Sequence, residues 1–285
     1  MAAIKRLIVT ADDFGLTPEV NAGIRESCQR GIVTAASLVV NGLATAEAVA
    51  MARELPDLEV GLHLSIVEGF SLLGRASSLS DPEAYFDGGT CLVRNWQQFI
   101  PRYLQGKVKL TELEAECELQ FQRFLEFFPS IPFLNSTQHL HLLPGIQGIV
   151  LKLARRYGVP AMRIPWRFAE PQGLRTQRLV AQVLMRGLGA GMVWRSRGLK
   201  SPSRFVGFPV SGQLSRSYLQ GAIKALRPGV TELMTHPGFD CPFLRSRLEG
   251  YQGFDWDGER EALCEKSNFD MLRVEGVELA RFRDL

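Results

Sequence analysis

The stretch IKRLIVTADDFGLTPEVNAGIRESCQRG, from Ile4 to Gly31, carries the plan of the chain. Lys5 to Ala11 reads as a short apolar strand running into the acidic doublet Asp12-Asp13. Thr17 and Pro18 supply a helix N-cap and a proline at the first helical position, where its missing N–H costs nothing. Val20, Ile24 and Cys28 recur at four-residue spacing on one helix face, and Gly31 ends it. The unit of strand, loop and helix then repeats. Ala35 to Val40 is a second strand, Ala46 to Leu55 a second helix with Val49, Ala52 and Leu55 on one face, and Leu58 to Leu64 (LEVGLHL) a third strand carrying His63.

From Ser65 to about residue 110 the pattern breaks into Gly, Ser, Asp and Pro, including Gly88-Gly89. That is too long for an ordinary connection and predicts a functional excursion over one face. Thr111 to Glu114 fits a capping box, and Leu119 to Phe128 continues that helix until Pro129 and Pro132 stop it. Phe133 to Leu143 (FLNSTQHLHLL) follows as a strand with its loop, Gly145 to Tyr157 as a helix and Ala161 to Ile164 as a strand. Next come a helical stretch from Pro171 to Ala190, a strand Phe205 to Phe208, a helix Ser215 to Leu226, and the strand Thr231 to Thr235 delivering His236. The expected fold is α/β, a deformed (β/α) barrel of mostly parallel strands in a single domain over residues 1–285, with the excursion at 65–110. An open doubly wound sheet competes, but roughly seven units and this length favour the barrel.

The 285 residues hold 33 Lys+Arg against 30 Asp+Glu, a net charge of +3, with 46% hydrophobic and 22% charged residues. Such a composition is that of an ordinary globular protein, and without a basic run it offers nucleic acid no footprint. Ile4 and Leu7 to Val9 are too few for a signal-peptide core or a membrane span, so a cytoplasmic chain is expected. The five cysteines are odd in number and form no C-x-x-C pair, which argues against a zinc knuckle or a redox motif. No G-x-S-x-G, Walker or G-x-G-x-x-G motif is present, which weakens serine hydrolase, NTPase and dinucleotide readings.

All four histidines, His63, His139, His141 and His236, fall at predicted strand C-terminal ends, where barrels assemble their sites. Asp12-Asp13 could be a helix-capping turn. As a site doublet, one carboxylate can ligate a cation while the other takes a proton. His63 faces away from Val60, Leu62 and Leu64. His139 and His141, two apart on a strand, would share a face, and His236 precedes the stop Pro237-Gly238. An oxygen ligand with imidazoles suits zinc or another divalent ion. The carboxylate and histidine left over suit a hydrolase of amides or esters, as base and acid. A metal phosphodiesterase would want more carboxylates.

TADDFG (Thr10 to Gly15), GLHL (Gly61 to Leu64), NSTQHLHLLP (Asn135 to Pro144), MRIP (Met162 to Pro165) and THPG (Thr235 to Gly238) resemble, in order, the motifs of the YdjC-like carbohydrate deacetylases. That family includes chito-oligosaccharide and hopanoid-associated deacetylases. The resemblance implies a hydrolase removing acetyl groups from N-acetylated sugars or glycolipids with a divalent ion, Mg2+ or Zn2+. It implies Asp12 as catalytic base, His236 beside the leaving amine, Arg163 orienting the base, and Asp13 and His63 as metal ligands. The family's third metal histidine falls on Thr137. His139 could take its place; alternatively Asp13 and His63 hold the ion with extra waters, or the protein binds glycans without cutting them. The expected partner is an amino-sugar, oligosaccharide or glycolipid substrate, with peripheral contact with membrane lipid and a homodimer left open, and no nucleic acid. Phe70, Tyr85, Phe86, Trp96, Trp166 and Arg167 are candidates for stacking on sugar rings. The segment after Phe239 is expected to add little.

Overall fold

The computed structural model describes residues 4–285 except 84, 85, 87, 171–178 and 197, and describes only the backbone at 179–181, 194 and 249. Tyr85 and the first part of the predicted 171–190 helix therefore lie outside the described residues. In chain order the elements are β1 (Lys5–Phe14), α1 (Pro18–Gln29), β2 (Ala35–Leu38), α2 (Thr45–Glu54), β3 (Glu59–Leu64), α3 (Trp96–Leu104), α4 (Leu110–Phe127), β4 (Phe133–Ser136), α5 (Ile146–Arg156), β5 (Ala161–Met162), α6 (Leu179–Arg195), β6 (Arg204–Val206), α7 (Arg216–Ala225), β7 (Gly229–Thr235), α8 (Pro242–Arg247), α9 (Trp256–Cys264), α10 (Ser267–Val274) and β8 (Val277–Leu279). The strands pair in parallel in the order β5-β4-β3-β2-β1-β7-β6, and β8 joins the start of β1. Between the end strands, Ala161 pairs with Lys200 and Phe168 with Phe205, so the sheet curls into an incompletely closed, deformed barrel.

Strand alternation sorts the side chains into two populations. Leu7, Val9, Ala11, Leu38, Leu62, Leu134 and Leu233 join the outer core beneath the helices. Ile8, Ala35, Phe133 and Ala161 form a separate inner cluster with Ala280 and Phe282. Phe133 and Phe282 stack with centroids 3.9 Å apart, and the Phe282 N–H donates to Glu59 Oε2 at 2.6 Å. Residues after β8 thus plug the barrel floor, a role the sequence reading did not give them. Higher on the inward faces the side chains turn polar: Thr10 with Glu232, then Asp12, Ser37, His63, Asn135 and Arg163, which are hydrogen-bonded to one another.

Thr17 caps α1 as expected, accepting from the Val20 N–H at 3.5 Å. The capping box at Thr111–Glu114 does not form. The N-cap of α4 is Lys109, two residues earlier and without a side-chain cap, while Glu114 pairs with Lys152 at 2.5 Å and Glu112 accepts from the Ser78 N–H at 2.7 Å. Those tertiary partners win over the local cap. The excursion carries α3 and is tied down by the Phe70–Cys91 and Ser80–Leu92 bridges. Phe86 is buried between Phe70 and Phe243, so these rings pack the excursion rather than present a sugar platform. Among the described residues no helix is long and apolar enough to cross a membrane.

Candidate active site

The end of β1 bulges. Its pairing with β2 runs Thr10–Ala35 and Ala11–Ala36, then Phe14–Leu38, one residue more on β1 than on β2. Regular alternation would send Asp12 and Asp13 to opposite faces. The extra residue, with Asp13 at φ 69°, brings both to one cleft of about 580 Å³, as bulges beside active sites do.

Asp12 is held by three side chains, most of them on Oδ1. The fully buried Arg163 donates from Nη1 to Oδ2 at 2.5 Å and from Nη2 to Oδ1 at 2.9 Å, and its Nε reaches Glu232 Oε1 at 2.8 Å. Ser37 Oγ and Asn135 Nδ2 also donate to Oδ1, at 2.8 and 3.0 Å. Burial pushes the Asp12 carboxyl up, but the charge and hydrogen bonds of the Arg163 guanidinium outweigh it and hold the carboxyl well below the usual range. Glu232, on the other side of Arg163, is raised by burial, which the same guanidinium only partly offsets.

Asn135 fixes the tautomer of His63. Its Nδ2 faces Asp12, so its Oδ1 faces His63 Nδ1 at 2.7 Å. An amide oxygen only accepts, so Nδ1 bears a hydrogen and the neutral ring carries its lone pair on Nε2. Nε2 lies 3.4 Å from Asp13 Oδ1. Two electron-pair donors so close repel unless a proton or cation sits between them, and their spacing suits two ligands each about 2 Å from one ion. Asp13 and His63 therefore fit a divalent cation. Among the described residues no third His, Cys, Asp or Glu joins them in a metal-holding group.

The strand expected to carry His139 and His141 ends at Ser136. The chain turns instead through a 3-10 segment, Thr137–Leu142, with Gln138 and His139 at φ 50° and 55°, so the two histidines do not share a strand face. His141 is held at both ring nitrogens, by Ser136 Oγ at 2.7 Å and the Arg163 carbonyl at 3.0 Å. His139 lines the cleft beside the rings of Phe205 and Phe208, with Nδ1 unpartnered. Burial first, then Arg163, pushes its pKa well below the usual value and keeps it neutral. Thr137 Oγ1 accepts from the Ile66 N–H at 3.3 Å and lies 3.4 Å from the Leu64 and Val67 carbonyls, so its hydroxyl braces the start of the excursion. His236 follows β7 with its N–H on Glu259 Oε2 at 2.5 Å, its ring against Phe254 and its Nδ1 unpartnered.

The sequence reading missed Ser37, Asn135 and Glu232 around Asp12, and also Glu68, Gln138 and Tyr251. Tyr251 Oη lies 3.1 Å from Asp13 Oδ2 and 3.0 Å from Glu68 Oε2, and Gln138 Nε2 donates to Glu68 Oε1 at 2.6 Å. One phenol hydrogen cannot serve two carboxylates. The second contact needs a hydrogen on Glu68, whose pKa burial, and then Asp13, push well above the usual range. All four described non-glycine residues with positive φ, Asp13, Glu68, Gln138 and His139, line this cleft, where such conformations concentrate when a site is built around them.

The family model for YdjC-like protein matches residues 6–273. The chain belongs to the YdjC-like family. It is 32% identical to a carbohydrate deacetylase of Homo sapiens over 98% of this chain and 91% of that one. Against the chitooligosaccharide deacetylase of Proteus mirabilis it is also 32% identical, over 98% of each. The YdjC-like fold is shared with a solved protein of Enterococcus faecalis V583 described as a candidate cellobiose-phosphate cleavage protein, at TM-score 0.75 and 22% identity over 99% of both chains.

Proposed function

We propose that this YdjC-like protein is a carbohydrate N-deacetylase, a hydrolase that removes the acetyl group from an N-acetylated sugar or glycolipid with a divalent cation, Mg2+ or Zn2+. The observation that carries the reading is the convergence of Asp13 Oδ1 and His63 Nε2, beside an Asp12 carboxylate held ionised. The names of the curated relatives support the substrate class. A cation on Asp13 and His63, its shell completed by water, would polarise the amide carbonyl and acidify a water molecule. Asp12 Oδ2, with Arg163 as its one donor among the described residues, keeps capacity to accept a proton from an attacking water. His236 lines the same cleft and serves the leaving amine.

The cleft wall favours a substrate with an apolar portion beyond the sugar. Leu184, Met185 and Leu188 of α6 face Trp96 and Ile100 of α3 around it, and Leu184 and Trp96 are 61% and 48% exposed. Thr137 favours the second reading, a glycan-binding relative without catalysis, because its hydroxyl is spent on backbone and supplies no third donor. Acetate release from N-acetylglucosamine conjugates, measured with Mg2+ and with Zn2+, tests both. Acetate release is expected; none with any divalent ion, alongside retained sugar binding, overturns the enzyme reading in favour of the second.

A further inference from the structure

Tyr251 binds the Asp13 oxygen that does not face His63. We propose that Tyr251, itself fixed by Glu68, is a positioning residue that holds Asp13 Oδ2 and so turns Oδ1 toward His63 Nε2, setting the affinity of that pair for a divalent cation. The inference rests on the cation reading above. A carboxylate on a short side chain can rotate, and a pair that no third His, Cys, Asp or Glu joins among the described residues gains more from having that rotation removed beforehand.

The restraint extends outward in one line. Glu68 Oε2 meets Tyr251, Gln138 Nε2 donates to Glu68 Oε1 at 2.6 Å, and the Trp96 N–H donates to Gln138 Oε1 at 2.7 Å. Three of its members, Asp13, Glu68 and Gln138, adopt positive φ. The line joins the bulge of β1, the excursion, the turn after β4 and the start of α3 through a residue beyond α8. The Tyr251 ring packs on Phe254 and Trp256 with centroids 4.8 and 5.9 Å away, so Tyr251→Phe removes the hydroxyl and keeps the packing.

The test is calorimetric titration of the metal-stripped full chain with Zn2+ alone, with melting of the metal-free proteins in parallel. Tyr251→Phe is expected to weaken Zn2+ binding on the order of tenfold, with metal-free melting close to that of the wild type, and Asp13→Asn to abolish binding. Wild-type affinity in Tyr251→Phe, with binding lost in Asp13→Asn, overturns the positioning role and leaves the cation pair standing. A wild-type chain that binds no Zn2+, or an Asp13→Asn variant that binds it as tightly, overturns both. Should Tyr251→Phe fail to fold, Glu68→Ala carries the same expectation, Glu68→Gln should restore affinity, and unchanged binding in Glu68→Ala overturns the proposal.

Discussion

Replacing Arg163 by Met would test the electrostatics of the site most directly. The guanidinium is fully buried and bonds to two carboxylates, Asp12 and Glu232, so its removal leaves uncompensated charge in the barrel. Breaking a buried pair from one side costs about 3–5 kcal/mol. At roughly 2–4 °C per kcal/mol in a chain of this size, melting at pH 7 should fall on the order of 10 °C. The pH dependence carries the sharper signature. In the wild type the folded-state pKa of Asp12 is depressed, so its contribution is complete above the unfolded carboxyl pKa of about 3.9 and lost as pH falls below it toward the folded value. Without Arg163, burial dominates and the sign inverts. Asp12 then stabilises the fold best in acid, and stability drains away as pH rises through and above that same value. Calorimetric melting of both proteins from pH 3 to 8 should show the gap between them widening with pH. Parallel curves with a constant offset would refute the reasoning, since a purely steric defect has no such slope. Arg163→Lys should recover only part of the loss, because an ammonium cannot make the two parallel bonds to Asp12.

Three further outcomes follow from the geometry. Thr137→His should raise Zn2+ affinity at least tenfold by titration of the metal-stripped protein; unchanged affinity would mean that position 137 is not the gap in the ligand set. Phe282→Ala, which empties the barrel floor far from the cleft, should lower stability by about 3–5 kcal/mol in denaturant unfolding, while the affinity for Zn2+ stays as in the wild type. Leu184→Ser should raise KM for N-acetylglucosamine carrying an alkyl chain and leave KM for the underivatised sugar unchanged; equal effects on both would remove α6 from the substrate path.

The strand-helix alternation was legible because apolar periodicity and punctuation by Pro and Gly are local signals, and β1, α1, β3, α5 and β7 all fall where they indicate. The strand ends that gather Asp12, His63, Arg163 and His236 followed from that order. The bulge at Asp13 was not legible, since it is a mismatch between two strands and exists only once β2 is alongside β1. The turn after Ser136 was hidden for a similar reason: HLHL alternates as a strand does, yet the hydroxyl of Thr137 and Nε2 of His141 bind backbone elsewhere in the fold, while His141 Nδ1 turns back onto Ser136. Tyr251 and Glu68 carry no motif. They lie 183 positions apart and meet only across the finished cleft. Asn135 was in view within NSTQHLH, but its task of setting the His63 tautomer needs the distances.

The bulge also bears on what the acidic doublet means genetically. Two identical neighbours suggest a spare, one able to stand in when the other is lost. Here the backbone itself assigns them different partners: Asp12 is clasped by Arg163, Ser37 and Asn135, while Asp13 meets His63 and Tyr251. A survey of random variants should therefore find two separately indispensable codons rather than a tolerant pair, and deletion of one of them, which removes the bulge residue along with a carboxylate, should be at least as damaging as substitution of either aspartate.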